Sequence, residues 1–482
     1  MVNTYRKMKI KHNELLIEPS DPFINCRLGR EKYASVLTGV LSTYSEGFVL
    51  AIDGKWGTGK TTFVKMWQQD LNNNDFKTVY FNAWENDFED DPLAALMAEL
   101  KSVSDIKTEQ KYASTLKKAA VFAKTITPGI VKAIANKYVD TDIIKELLEG
   151  TSKGITETFQ SKVNDYANRK NGIKEFKESL SDFINETVVD KPVVFIIDEL
   201  DRCRPDYAVS VLEKVKHFFS IPNIVFVLSI DKEQLGNAVK GVYGSECLDS
   251  EEYLKRFIDL EYILPKPKQG DFYNYLYDYY EFDSFLKSEE RLKYTELRDD
   301  AARFKTIGKL LFNSSDLTLR SQEKILGMSR LCLQTFNENH YVMPFVFLYL
   351  LFVKSTNSQL YSEIRNKSAS FELILKEIND SINYKNTDTR YEEKHSKLWL
   401  AAIFLNSYRN YVNEYRYENK ETFMSNVNSD NEYDLTISSP YDKETKERFC
   451  ELVKGMTYGR EENNINLNHF LERIDLLEPL KN

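Results

Sequence analysis

Three short runs of this sequence carry residue types at spacings that suit a phosphate chain. In the first, Gly54 is followed after four residues by Gly59, Lys60 and Thr61. Glycines let a loop turn its backbone N–H groups inward around an anion. A helix that starts there adds its free N–H groups and positive dipole end. Lys60 is of a length to neutralise β- and γ-phosphates, and Thr61 offers a hydroxyl to Mg²⁺. The candidate binding set is therefore Gly54, Trp56, Gly57, Thr58, Gly59, Lys60, Thr61 and Thr62. In the second run the apolar stretch Val193–Ile197 ends in Asp198-Glu199. Asp198 at a strand tip can hold Mg²⁺ through its water shell. Glu199, one residue on, is placed to orient and deprotonate an attacking water. In the third, Ser229 and Asp231 close another apolar stretch, where a polar side chain can meet the γ-phosphate or that water. The first two runs together point to hydrolysis and not to binding alone.

These residues need strands to end on and helices to start from. Phe48–Ile52 is a short apolar run that suits a buried strand, and TTFVKMWQQDL continues as a helix. Thr78–Phe81 reads as a second strand, with Trp84 just past its end, where parallel sheets form their ligand crevice; a core aromatic is the plainer reading of Trp84. Asp91 and Pro92 suit the cap and first position of the next helix. Val193–Ile197, Ile224–Ser229 and Ile258–Leu264 supply further strands, with a helix over Pro205–Phe219. Ahead of the first strand, Leu28 and Gly29 lead into a helix with Tyr33, Leu37, Val40, Leu41 and Tyr44 at helical spacing. A segment at that point can pack over a nucleotide base, so Leu28 and Gly29 are candidates for base contact. Arg256 is a candidate for offsetting developing phosphate charge, in cis or from a neighbouring copy. Arg320, or alternatively Arg330, could serve as a lid arginine. The bland alternatives for these arginines are a surface charge or a salt bridge.

The chain has 482 residues, 42% hydrophobic and 29% charged, enough for two or three domains with sizeable cores. A net charge of −9 argues against non-specific nucleic-acid binding by the whole surface. Cys26, Cys203, Cys247, Cys332 and Cys450 form no CxxC pair and no Cys/His cluster, which fits a reducing cytoplasm. The opening MVNTYRKMKIKHNELL has no uninterrupted apolar run, so a signal peptide is not expected. Residues 101–189 are too long for a plain crossover and read as a helical insert. Within them, Lys111 to Lys137 holds six lysines and no acid. This basic stretch could touch anionic lipid or nucleic acid, but a solvated lysine face on packed helices is the favoured reading. Lys124, Pro128, Gly129 and Lys132 interrupt it too often for a membrane span. From Pro267 on, the pattern is helical and rich in Tyr and Phe, with loops expected at 385–390 and 425–440. His340, His395 and His469 are isolated and read as structural.

Taken together, Asp53–Thr62, Phe81-Asn82-Ala83-Trp84, Asp198–Cys203, Phe226–Asp231 and Tyr253–Phe257 resemble the KAP family of P-loop NTPases, and Leu28-Gly29-Arg30 looks like the family's opening motif. The resemblance covers roughly residues 20–330. It implies an α/β fold: an ASCE-type P-loop NTPase core whose parallel sheet runs 5-1-4-3-2, with a helical insert and an α-helical C-terminal region. It also implies ATP with Mg²⁺ as the cofactor and a place in antiviral or stress systems. Many members carry transmembrane helices between the two Walker motifs; this chain's insert is too charged for that, which favours a soluble form. The expected organisation is a tail at 1–20, the NTPase core at 21–100 and 190–266, the insert at 101–189, a helical lid at 267–335 and a C-terminal helical domain at 336–482.

The reading that follows is an ATPase whose hydrolysis drives a conformational switch, with a protein partner or self-association. The alternative is an ATP-locked scaffold that turns over slowly and recruits a partner through its C-terminal helices. A GTPase is disfavoured, because IDKEQL follows Ser229 where a guanine-specific NKxD would be expected.

Overall fold

The computed structural model describes residues 15–44, 47–89, 91–126, 159–188, 190–216, 221–244, 248–268, 270–382, 391–414, 420–426, 433–457 and 466–476. The chain divides into two compact units between Lys266 and Pro267.

The first unit is built on a five-stranded sheet: β1 (Phe48–Asp53), β2 (Thr78–Asn82), β3 (Val193–Asp198), β4 (Ile224–Ile230) and β5 (Leu260–Ile263). Its strand order is β2-β3-β4-β1-β5, which read from the other edge is the expected 5-1-4-3-2. Every pairing is parallel. β3 and β4 are buried along their whole length, because helices cover both faces. Val49, Ala51, Phe195, Ile197, Phe226 and Leu228 face one helical layer. Leu50, Ile52, Val194, Ile196, Val225 and Val227 face the other. That second layer includes α1 (Glu31–Thr43) and α2 (Lys60–Asn73), joined where fully buried Trp67 donates from Nε1 to Thr38 Oγ1 at 2.9 Å. Edge strand β5 is shorter than the expected Ile258–Leu264 and largely exposed, since only one neighbour pairs with it.

On the first layer lies α3 (Pro92–Leu100), with Asp91 capping the N–H of Leu93 at 3.0 Å and Pro92 at its first position, as anticipated. The described part of the insert consists of α4 (Glu109–Ile126) and α5 (Phe159–Thr187). They are held together by Tyr112 against Phe183 and by Thr115 on Ser179 at 2.9 Å. Lys111 pairs with Glu186 there, and Lys117 is exposed, in keeping with a solvated lysine face. The remainder of the basic stretch, from residue 127 to Lys137, lies outside the described residues. Then come α6 (Pro205–Val215), α7 (Lys232–Tyr243) and α8 (Ser250–Leu254). The expected end of α6 at Phe219 lies outside the described residues.

The second unit has one continuous core from Tyr273 to Ile474. Its main helices are α9 (Asp271–Tyr279), α10 (Asp300–Ser314), α11 (Leu319–Leu333), α12 (Pro344–Thr356), α13 (Tyr391–Val412) and α14 (Lys443–Thr457). Aromatic side chains fill it: Phe282 lies 4.8 Å from Phe304, and Tyr349 meets Phe404 edge-on at 5.1 Å. The separation into a lid and a C-terminal domain at 335/336 is not visible, because α10 and α11 both pack against α12 and share its core. The expected loop at 425–440 contains a short antiparallel pair, β6 (Met424–Asn426) and β7 (Tyr433–Leu435). Met424 is buried and Tyr433 and Leu435 pack on the helical core, which gives this polar stretch an apolar side to pair on. The loop at 385–390 lies outside the described residues. Among the described residues no helix is long and apolar enough to cross a membrane.

Candidate functional site

Parallel register brings the chemistry to one edge of the sheet. Asn82 pairs with Asp198, Asp198 with Ser229, and Asp53 with Ile230, so the strand ends lie side by side. That edge is the carboxyl end of a parallel sheet, where such folds bind ligands.

The glycine loop connects β1 to α2. Gly57 and Gly59 have φ of 77° and 82°, backbone that only glycine adopts without penalty. At Gly54 the constraint is space: a Cβ would meet Thr58 Oγ1 at 3.1 Å. Thr58 Oγ1 donates to Lys55 O at 2.7 Å, tightening the turn. Lys60 is buried at the first position of α2, its Nζ on the carbonyl of Gly54 and 3.4 Å from that of Lys55. Burial lowers its pKa, against the pull of Asp201, Asp231, Asp198 and Asp53. Thr61 turns its hydroxyl to Glu199 Oε1 at 3.4 Å, and Thr62 is exposed on the same turn.

Four residues outside the glycine pattern fix this loop. Arg30 is buried and donates to Gly59 O at 2.8 Å and Thr58 O at 2.6 Å; burial brings its guanidinium down to about 10. Asp201 accepts the Trp56 indole N–H, and Asp231 accepts the Trp56 backbone N–H at 3.1 Å. Burial raises the Asp201 pKa, with Lys60 and the indole opposing. Asp53 accepts the N–H of Lys232 at 2.9 Å, which joins the end of β1 to the start of α7.

At the tip of β3, Asp198 is almost fully buried. It accepts the Tyr80 hydroxyl at 2.9 Å and the N–H of Glu199 at 3.0 Å. Burial raises the pKa of Tyr80, with Asp198 adding to the shift, so the phenol stays a donor. Glu199 has φ of 61°, in the left-handed region. Its Oε1 also meets Arg202 NH1 at 2.6 Å, and its Oε2 accepts from Asn82 Nδ2 at 3.3 Å. Ser229, in register beside Asp198, is fully buried and its hydroxyl makes no hydrogen bond. Cys203, next to this cluster, is pushed up to about 12 by burial and stays a thiol.

The structure thus brings Gly54, Trp56, Gly57, Thr58, Gly59, Lys60, Thr61, Asp198, Glu199 and Ser229 to one place. Arg256 does not join them: it is exposed over the Tyr253 ring at 5.9 Å, and among the described residues no hydrogen bond or ion pair links it to the glycine loop. Gly29 (φ 61°) turns the chain so that the next residue, Arg30, reaches the loop. Leu28 is half-buried. Arg320 belongs to the second unit and is exposed on the first turn of α11. Arg330 is buried there, with Nε on Tyr280 O at 3.0 Å and NH2 on Ser284 Oγ at 3.0 Å; it holds helices together and is no lid arginine. Trp84 is exposed, not a core aromatic. Arg30, Asn82, Asp201 and Arg202 also contact the loop or Glu199, which the motifs alone did not assign. All four lie inside the family motifs, so the signal was present without the partner.

A buried lysine beneath the glycine turn after β1, with an acid pair at the tip of β3 on the far side of β4, defines a P-loop NTPase. A KAP family P-loop domain matches residues 30–339, well over half of the chain, and the chain belongs to that family. The matched region reaches into the second unit and ends just past α11. The phage T7 exclusion protein of Escherichia coli (strain K12) is 24% identical over 242 residues, 47% of this chain. The chain spans 31% of that relative's length. A solved structure of Drosophila ORC bound to DNA aligns with 96% of this chain and 88% of that one, at 13% identity and a TM-score of 0.35, a likeness too loose to bear on function.

Proposed function

We propose that this chain binds ATP with Mg²⁺ and hydrolyses it to drive a conformational switch. One observation carries the reading: Glu199 stands beside Asp198 at the strand tip, within 3.4 Å of the Thr61 hydroxyl at the start of the phosphate-loop helix. Asp198 and Thr61 are the residues that would hold Mg²⁺, which supplies charge neutralisation on the phosphate oxygens when bound. The residues fit such a group. A Cβ at Gly54 would crowd Thr58 Oγ1 at 3.1 Å, and among the described residues no side chain or backbone group satisfies the buried Ser229 hydroxyl.

In this reading Lys60 leaves the carbonyls of Gly54 and Lys55 for the β- and γ-phosphates, whose charge offsets the cost of its burial. Glu199 takes a proton from water as the water oxygen bonds to the γ-phosphorus. The bond from phosphorus to the bridging oxygen breaks, and ADP leaves with that electron pair. Arg256 is retained as a residue for a neighbouring copy's nucleotide, and Arg320 as a lid residue; Leu28 and Gly29 are retained for the base. The protein partner falls to the helical unit. A cytoplasmic location belongs to the same reading. A role in phage exclusion is proposed solely from what the Escherichia coli relative is called.

The test is ATP turnover by the purified chain beside Lys60→Ala and Glu199→Gln. We expect a fall of about 10²-fold or more in both variants. Wild-type turnover no higher than that of Glu199→Gln would refute hydrolysis. The second reading, a slow-turnover scaffold, is favoured by the engagement of both Glu199 oxygens in the resting chain. Single-turnover kinetics separate the two.

A further inference from the structure

Glu199 is restrained from one direction that hydrolysis does not explain. Its Oε1 receives both the Thr61 hydroxyl at 3.4 Å and Arg202 NH1 at 2.6 Å. A Thr61 that turns to a metal leaves that oxygen to Arg202. A carboxylate locked to a guanidinium at that distance is not free to accept a water proton along the same lone pair.

Arg202 has a second partner. Its guanidinium carbon lies 5.9 Å from the ring centroid of Trp84, at the outer limit of a cation–π contact. Trp84 is 52% exposed, yet its backbone is fixed. It opens a short 3₁₀ turn, Trp84–Asn86, directly after β2. Asn82 Oδ1 accepts the N–H of Trp84 at 3.1 Å and of Glu85 at 3.3 Å, while Asn82 Nδ2 donates to Glu199 Oε2. The indole face is therefore a prepared seat within a short swing of Arg202. Arg202 meets both partners from one position, so the indole is within reach of a guanidinium that leaves the carboxylate.

We propose that Arg202 is a positioning residue that holds Glu199 in a resting orientation, and that the exposed face of Trp84 is the seat it takes when the glutamate is released. This rests on the hydrolytic reading of Glu199. The device explains why a bulky indole stands in solvent on a turn tied to the same carboxylate. It also explains why a basic residue follows the acids Asp198, Glu199 and Asp201: Arg202 sits on the 3₁₀ turn Leu200–Arg202 that Glu199 itself starts, so its reach returns to the carboxylate.

The test compares kcat and KM for ATP in the full chain and its variants. Arg202→Gln is expected to raise kcat by roughly fivefold with KM unchanged, the factor that corresponds to one partly exposed ion pair. Arg202→Lys keeps the charge and returns kcat toward the wild-type value. Trp84→Ala removes the second seat and lowers kcat, whereas the double variant behaves as Arg202→Gln alone. A residue that only stabilises the fold would lower kcat in both single variants. A lower kcat in Arg202→Gln, or a higher one in Trp84→Ala, overturns the proposal while hydrolysis stands. An independent readout is the Mg²⁺–ATP-induced change in Trp84 fluorescence, obtained by difference from Trp84→Phe. If this signal responds and is lost in Arg202→Gln, while no variant outpaces Glu199→Gln in turnover, the two-seat device stands and the hydrolytic reading falls. A Trp84 signal indifferent to nucleotide overturns the device.

Discussion

The two units of this chain bury polar groups to opposite ends. In the sheet unit Lys60, Asp198 and Ser229 are buried at the strand ends, where, among the described residues, the Asp198 carboxylate accepts only the Tyr80 hydroxyl and the Glu199 N–H. Lys60 rests on loop carbonyls, and among the described residues the Ser229 hydroxyl has no hydrogen-bond partner. In the helical unit Arg291 is fully buried with its guanidinium on Asp300 and on the carbonyls of Glu338 and His340, at 3.0 and 2.9 Å. On the nucleotide-binding proposal the first arrangement costs stability and keeps groups available for a ligand; the second uses the same kind of group to fix helices. Polar burial is thus a functional signal in one unit and an architectural one in the other, and only the partners distinguish them.

The largest effect should come from breaking the architectural pair. Arg291→Met leaves Asp300 buried without its cation and should cost about 3–5 kcal/mol of stability. Urea unfolding followed by Trp399 fluorescence measures the loss. Binding of a fluorescent ATP analogue at a temperature where the variant is folded should match the wild type. A variant that stays stable but loses nucleotide would show that the contrast between the units is false.

The same pair should make the helical unit sensitive to pH. Burial pushes the Asp300 carboxyl up to about 6 from an ordinary 3.8, against the pull of Arg291. A carboxyl raised in the folded state contributes stability that is fully present below its unfolded pKa and lost as pH rises through its folded one. The window here runs from about pH 4 to about pH 6. A shift of about two units is worth about 3 kcal/mol at most. Relative to Asp300→Asn, the wild type should therefore gain about 2–3 kcal/mol between about pH 7 and about pH 4. A constant difference across that range would mean that Arg291 holds the carboxylate charged throughout.

Much of the sheet unit was legible because its signals are local. Glycine spacing, a strand's apolar run and an acid pair are all read within ten or so residues, and the family resemblance supplied the strand order. The roles of Arg30, Asn82 and Asp201 were not legible, although each stands in a family motif. Arg30 meets its carbonyls across 28 and 29 residues, Asn82 meets Glu199 across 117, and Trp56 meets Asp201 across 145. No local pattern encodes such a partner. Arg330 shows the converse. Its surroundings invited a phosphate role, but it bridges helices. In the helical unit the aromatic content announced a core. The single core spanning residues on both sides of 335/336 was hidden, because helix periodicity reports a buried face and not its neighbour.

The smallest effect is also the sharpest test of the contrast, because its sign is reversed. Ser229 is fully buried at the end of β4 and its hydroxyl has no hydrogen bond. Burying an unpaired hydroxyl is unfavourable, so Ser229→Ala should leave the chain as stable or raise its stability by about 1 kcal/mol. The methyl that remains fits the same space. If the hydroxyl is kept for the γ-phosphate or the attacking water, the more stable variant should turn over ATP more slowly, by roughly tenfold for one lost hydrogen bond in the transition state. Thermal unfolding and steady-state turnover on one preparation give both numbers. Reduced stability with unchanged turnover would place Ser229 with Arg291, among the groups that serve the architecture.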